Sequence, residues 1–202
     1  MRRFMDLLFP PRADEAIVRE LEPDALVRHL APRVVPVCEP GAIVLLPYEE
    51  QQVRAALHEA KYHGSPKAFA LLARAACSYL AVADVPVSGT RRVPVPLGAQ
   101  RRKERGFNQA EEVAQRMSEH LGVRLSSNLL LRTRETVSQV TLPRHHRRDN
   151  MLGAFQARGK IDPAYLYIVL DDVATTGATL QAAIDALRIA GATRIYPLAL
   201  AH

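Results

Sequence analysis

Residues 165–180, YLYIVLDDVATTGATL, decide the fold. Tyr165 to Leu170 is an almost unbroken apolar run, rich in aromatic and β-branched side chains and short enough for a strand buried on both faces. Asp171 and Asp172 end it with two adjacent carboxylates, and the small and hydroxyl residues Ala174-Thr175-Thr176-Gly177-Ala178-Thr179 follow. Leu180, Ala183, Ile184, Leu187 and Ala190 then recur at helical spacing, Gly191 stops the helix, and Ile195 to Leu200 reads as the next strand. The order is strand, loop, helix, strand.

A loop of small residues running into a helix N-terminus leaves backbone N–H groups pointing outward, and the helix dipole adds partial positive charge there. Such a loop seats a phosphate dianion. Thr175, Thr176 and Thr179 add hydroxyl donors, and Gly177 lets the backbone approach closely or take a positive φ. Carboxylates one step upstream repel a phosphate, so they serve another part of the ligand. Ionised Asp171 and Asp172 suit the two hydroxyl donors of a sugar diol. A ribose 5-phosphate satisfies both demands.

With these parts in order, the stretch resembles the phosphoribosyl pyrophosphate (PRPP) signature of type I phosphoribosyltransferases, with Asp171, Asp172, Thr176, Gly177 and Thr179 on its positions. Two other readings compete. A buried strand can end in Asp-Asp with a Thr capping the next helix for structural reasons alone, and a phosphoacceptor aspartate also sits at a strand end. The latter is expected near the start of its domain.

Composition bounds the rest. A chain of 202 residues, 48% hydrophobic and 24% charged, can bury a real core as one domain or one plus an appendage. No apolar run approaches the length of a transmembrane helix, so no membrane insertion is expected. The N-terminus begins basic, but Asp6 interrupts its short apolar stretch and Pro10-Pro11 ends it, which reads as no signal peptide. Cys38 and Cys77 lie far apart and suit a reducing cytoplasm, making the protein cytoplasmic. The net charge is +6, but the block from Arg91 to Arg148 carries 13 Lys/Arg against 5 Asp/Glu. A basic middle in an otherwise balanced chain points to anions: pyrophosphate, nucleotide or a nucleic-acid backbone.

Residues 1–40 read as an N-terminal helical extension, with Asp14 to Leu30 helical, and 41–202 as the main domain. Ala42 to Leu46 reads as a strand. Val53, Ala56, Leu57 and Ala60 form the stripe of a helix closed by Lys61-Tyr62-His63-Gly64, where Lys61 complements the dipole or reaches an anion. A second helix starts at Pro66 and buries Cys77 as inert packing. RVPVPL (92–97) alternates Val and Pro and reads as a short strand at the sheet's carboxyl edge. GAQRRKERGF (98–107) reads as a basic loop, and Asn108 caps the following helix with Glu111 at the capping-box position. Arg105 and Gly106 therefore form a second anion site at a strand-to-helix junction. Leu131 to Asn150 reads as a long polar loop, and His145-His146 lack metal-ligand spacing.

VPVPLGAQRRKERGFNQAEEVA, LLRTRETVSQVTLPRHHRRDNMLGAF and YIVLDDVATTGATL, in this order, resemble the ComF (competence protein F) family, as does HEAKYHG after the first helix of the domain. The likeness runs from about Tyr48 to Leu200. Many relatives carry a four-cysteine zinc ribbon; here only Cys38 precedes the domain, one cysteine cannot fill a tetrahedral site, and no zinc is expected.

The resemblance implies a type I phosphoribosyltransferase fold, α/β, with a mostly parallel sheet, helices on both faces and the ligand at the strands' carboxyl ends. It implies that Asp171 and Asp172 hold the ribose diol. Ala174, Thr175, Thr176, Gly177, Ala178 and Thr179 hold the 5-phosphate, and Arg105, Gly106 and Lys61 the pyrophosphate. Arg132, Arg134, Gln139 and Arg148 belong to a mobile loop. Mg²⁺ is held through PRPP rather than by a dedicated protein cage. Two functions stand: a Mg²⁺-dependent phosphoribosyltransferase with an unknown acceptor, and a non-catalytic PRPP-responsive protein in competence-linked DNA uptake. Single-stranded DNA or competence proteins are partners under the second, and a homo-oligomer is open under either.

Overall fold

A computed structural model describes residues 11–86, 88–122, 124–134, 151 and 153–202. Gln139, Arg148 and the His145-His146 pair lie outside them. The helices are α1 (Ala13–Glu20), α2 (Gln51–His63), α3 (Pro66–Val82), α4 (Ala99–Arg105), α5 (Gln109–Leu121) and α6 (Ala178–Ile189). The strands are β1 (Arg33–Val35), β2 (Ala42–Leu46), β3 (Thr90–Pro94), β4 (Leu130–Arg132), β5 (Phe155–Ala157), β6 (Leu166–Val173) and β7 (Arg194–Ala201).

Five strands form one sheet in the order β1-β2-β7-β6-β3, parallel except for β1, which runs antiparallel to β2. β6 pairs with β3 and β7, registering Val169 against Val93 and Pro197. The apolar run of β6 is buried on both sides because successive side chains alternate faces. Ile168 and Leu170 join one core with Val53 and Ala60 of α2, Phe69 and Leu72 of α3, and Val113 and Met117 of α5. Tyr167 and Val169 join the other with Leu180, Ala183 and Leu187 of α6, and Leu130 and Phe155 of the β4-β5 ribbon. The chain is thus α/β, with a mostly parallel sheet and helices on both faces. Pro94 ends β3, an edge strand where a missing amide costs no ladder bond to a second neighbour.

The N-terminal helix is shorter than its apolar spacing predicts. It ends at Glu20, and a turn and a 3₁₀ segment, Val27–His29, follow, because Pro23 disfavours helical geometry at Glu22. Arg12 clasps the buried Glu59 carboxylate of α2 with Nη2 at 3.1 Å, and His58 Nδ1 meets Asp14 Oδ2 at 2.9 Å, which docks α1 on α2. The stretch 98–107 holds a helix, α4, where a loop was expected. Its side chains are mostly exposed, so no apolar stripe announces it. Strong helix formers, a Gln100–Glu104 hydrogen bond of 2.9 Å and Gly106 as left-handed C-cap sustain it. Leu131 and Arg132 likewise sit in β4 rather than in a loop. Burial pushes both thiols, Cys38 and Cys77, up to about 11, so neither is a thiolate at neutral pH.

Gly64 couples the end of α2 to the turn between α4 and α5. It ends α2 at φ +59°, and a Cβ there would meet the Phe107 ring at 2.9 Å. Phe107 in turn stacks edge-on against Phe69, with centroids 5.6 Å apart. Gly64→Ala should lower unfolding stability by about 1–2 kcal/mol from the left-handed backbone alone, and by more once Phe107 must move. Gly122, at φ +64° with nothing within 4 Å, is the control. Urea unfolding should show the larger loss for Gly64→Ala than for Gly122→Ala; equal losses would mean Phe107 yields freely.

Candidate functional site

All four parallel strands end at one cleft of about 660 Å³. Tyr48 beyond β2, Val95 to Leu97 beyond β3, Asp171 and Asp172 at the end of β6 and His202 beyond β7 line it. α2 adds Lys61 and Tyr62, α4 and α5 add Arg101, Arg105, Asn108 and Gln109, β4 adds Arg132, and the loop after β6 adds Thr175 and Thr179. The structure therefore brings Asp171, Asp172, Thr175, Thr179, Lys61, Arg105 and Arg132 together. Arg134 is exposed and outside the cleft lining, and Gly106 is exposed as the cap of α4.

The pleat of β6 divides the acidic pair. Asp172 follows Ile168 and Leu170 toward α2 and α5, where Lys61 Nζ lies 3.7 Å from Oδ2 and Gln109 Nε2 donates to the same oxygen. Its Oδ1 accepts from the Val173 amide at 2.7 Å. Asp171 follows Tyr167 and Val169 toward the loop and α6. Its Oδ1 accepts from the Asp172 amide at 2.9 Å, and its carboxyl also shares a side-chain hydrogen bond with Asp172. Asp171 keeps some surface open to the cleft, but the protein around it is dense. Desolvation pushes its carboxyl up to about 8, the Asp172 charge adds to the rise, and Lys61 partly offsets it. The two acidic side chains, both expected as ionised acceptors, therefore sit in different surroundings: burial favours a proton on Asp171, and Lys61 lies beside Asp172.

The loop after β6 forms a small cradle lined by Thr175, Thr176, Gly177, Ala178 and Thr179, with Asp171 on its rim. Gly177 sits at φ +69°, and a Cβ there would lie 2.1 Å from the Val37 carbonyl oxygen, so only glycine fits. α6 starts at once, and its first intrahelical bond runs from Gln181 N to Gly177 O at 2.8 Å, which leaves the amides before it without helical partners. Ala174 also lines the cradle, with its amide donating to Ala201 O at 2.9 Å. Thr176 Oγ1 is buried with no hydrogen-bond partner among the described residues. A hydroxyl in that state costs free energy unless something else satisfies it.

Arg105 leaves α4 toward Tyr62, its guanidinium carbon 5.6 Å from the ring centroid, and donates to Gln109 Oε1 at 3.0 Å. Asn108 caps α5 by accepting from the Ala110 amide at 3.1 Å and ties its own amide to Val95 O at 2.9 Å, fixing this turn on the end of β3. Glu111 does not close the capping box; it accepts from Arg102 Nη1 at 3.0 Å. Sequence reasoning missed Gln109, Arg101, Tyr48 and Tyr62. Only Gln109 had a readable signal: it follows a capping Asn at a strand-to-helix junction. Among the described residues, His58, Glu59 and His63 bring ligand-type atoms within 4.8 Å of one another, but Arg12 and Asp14 already occupy Glu59 and His58.

No family model matches the chain. The chain is 35% identical over 131 residues to the competence protein F of Haemophilus influenzae, covering 61% of this chain and 57% of that protein. It is 38% identical over 90 residues to the DNA utilization protein YhgH of Escherichia coli K12, covering 45% of this chain and 39% of that protein. The YhgH protein of Salmonella typhimurium is 37% identical over the same length. The chain spans about half the length of these relatives. No helix among the described residues is long and apolar enough to cross a membrane.

The Asp171 shift has a consequence for stability. Its carboxyl titrates near 3.8 when unfolded and near 8 when folded, so between these values the folded chain holds a proton that the unfolded chain releases. Its contribution falls as pH rises through that window and is flat outside it. Asp171→Asn should therefore gain on wild type in unfolding free energy between about pH 5 and pH 8. Denaturant curves that stay parallel across this range would place the Asp171 pKa near its ordinary value.

Proposed function

Because the chain belongs to the competence protein F family, we propose that its cleft binds PRPP with Mg²⁺ and transfers the phosphoribosyl group to an acceptor, releasing pyrophosphate. The observation that carries this reading is the buried, unpartnered Thr176 hydroxyl in a cradle at the N-terminus of α6, one step from an acidic pair. Its donors suit the 5-phosphate, and the carboxyl groups of Asp171 and Asp172 suit the ribose hydroxyls. A protonated Asp171 also removes the repulsion that two carboxylates would exert on a neighbouring phosphate dianion.

In this reading Arg101 and Arg105 take the diphosphate on the opposite wall, and the sugar spans the floor between. The bond from the anomeric carbon to the diphosphate oxygen breaks through an oxocarbenium-like sugar, and an acceptor lone pair forms the new bond. The cationic arm stabilises the charge that develops on the leaving group. The carboxyl oxygens of Asp171 and Asp172 are hard donors that fit Mg²⁺ held chiefly through PRPP; when bound, the ion supplies further neutralisation of the diphosphate.

The names of the relatives speak of competence and DNA utilization, and we place this chain's activity in the same process. One observation favours a second reading, non-catalytic binding of single-stranded DNA. α4 carries Arg101, Lys103 and Arg105, and the exposed ring of Tyr62 has Arg105 and Lys61 within 6 Å of its centroid, an aromatic flanked by cations. DNA affinity that falls steeply with salt and ignores PRPP would favour it.

Thr176→Val tests the main reading directly. It keeps shape and removes a hydroxyl that has no protein partner, so unfolding stability should hold or rise. Losing one hydrogen bond to a charged phosphate costs about 1.5–3 kcal/mol, so PRPP and ribose 5-phosphate should bind roughly 10- to 100-fold more weakly by calorimetry. Pyrophosphate should bind as to wild type. Unchanged ribose 5-phosphate affinity, or no pyrophosphate release from PRPP with any nitrogenous acceptor, would defeat the respective half of the proposal.

A further inference from the structure

One buried amide joins the two walls of the cleft. Gln109 occupies the first position of α5 and is 6% exposed. Its Nε2 donates to Asp172 Oδ2, and its Oε1 accepts from Arg105 Nη1 at 3.0 Å. The amide has one workable orientation: turned over, its oxygen would face a carboxylate and its NH₂ a guanidinium. Asp172 and Arg105 thus fix Gln109, and Gln109 fixes the distance between them. Asp172 also accepts from its own strand, at Oδ1 from the Val173 amide at 2.7 Å, but among the described residues no other tight contact ties it to the opposite wall. Lys61 reaches Asp172 only at 3.7 Å as a flexible point charge, and Arg105 otherwise rests over the Tyr62 ring.

We infer that Gln109 is a positioning residue that holds the diol-binding carboxylate and the diphosphate-binding guanidinium in one register, so that the two subsites act together on a ligand spanning both. The inference rests on the PRPP reading above. A ligand that engages two subsites gains from the second engagement only if their separation is already set; where it is not, each binding event pays separately for ordering its own side chain. A fragment that occupies one subsite draws no such benefit. The signature of this role is a selective loss for the spanning ligand.

Gln109→Met keeps the length and bulk of the side chain and removes both hydrogen bonds. The experiment measures dissociation constants of the full chain for PRPP with Mg²⁺, ribose 5-phosphate and pyrophosphate, alongside the urea midpoint. PRPP should weaken about ten-fold or more while each fragment stays within about three-fold and the midpoint is unchanged. PRPP binding like wild type, or equal weakening of all three ligands, overturns the positioning role. Wild-type protein that binds none of the three defeats the PRPP reading itself and takes this inference with it. Gln109→Leu supplies a second, non-titrating arm should the Met variant not fold, and it should show the same selective loss for PRPP; PRPP binding like wild type, or equal weakening of all three ligands, overturns the role.

Discussion

Burial of β6 on both faces sets the geometry of the whole site. Its side chains alternate between two cores, so the two aspartates that end it must diverge as well. Asp172 turns toward the helices that supply Lys61 and Gln109, and Asp171 toward the loop that opens α6. The chemical inequality of the pair follows from the pleat. One carboxyl meets donors and a cation, and the other meets dense protein and its neighbour's charge. A one-residue shift in strand register would exchange these environments, which is why the paired alignment with β3 and β7 matters to function as much as to stability.

Among the described residues, the basic middle of the chain holds both core-bound and cleft-lining cations. Arg92 is 1% exposed beneath α5, donates to Ser118, and has its pKa lowered by burial, so it belongs to the core. Arg102 pairs with Glu111, Arg116 pairs with Glu112 over the Phe69 ring, and Arg91 lies 4.1 Å from the Tyr165 ring centroid. Arg101, Arg105 and Arg132 line the cleft instead. Among the described residues, part of the positive balance that suggested an anion is structural, and Arg101, Arg105 and Arg132 gather where four strands end.

What the sequence made legible was local. The unit from Tyr165 to Leu200 could be read because a buried parallel strand, a small-residue loop and an amphipathic helix each have their own period or composition. The Asn108 cap and the Pro66 start were readable for the same reason. α4 was not, since a helix with no buried residue has no stripe to detect. Nor were the contacts that assemble the site. Gln109 and Asp172 are 63 positions apart, Arg12 and Glu59 are 47, and nothing short of the folded sheet brings either pair together. The division of the acidic pair was in principle available from strand alternation, but which face is dense and which carries the lysine depends on helices read elsewhere in the chain.

The charge balance of the cleft follows from these placements. Lys61 stands 3.7 Å from Asp172, and burial pushes the Asp171 carboxyl up, so both effects reduce the negative charge of the floor. Arg101 and Arg105 then dominate one wall, and the N-terminus of α6 with its hydroxyls dominates the other. Under the PRPP reading proposed above, two positive poles with a less charged floor between them would suit a molecule with two anionic ends and a polyol in the middle.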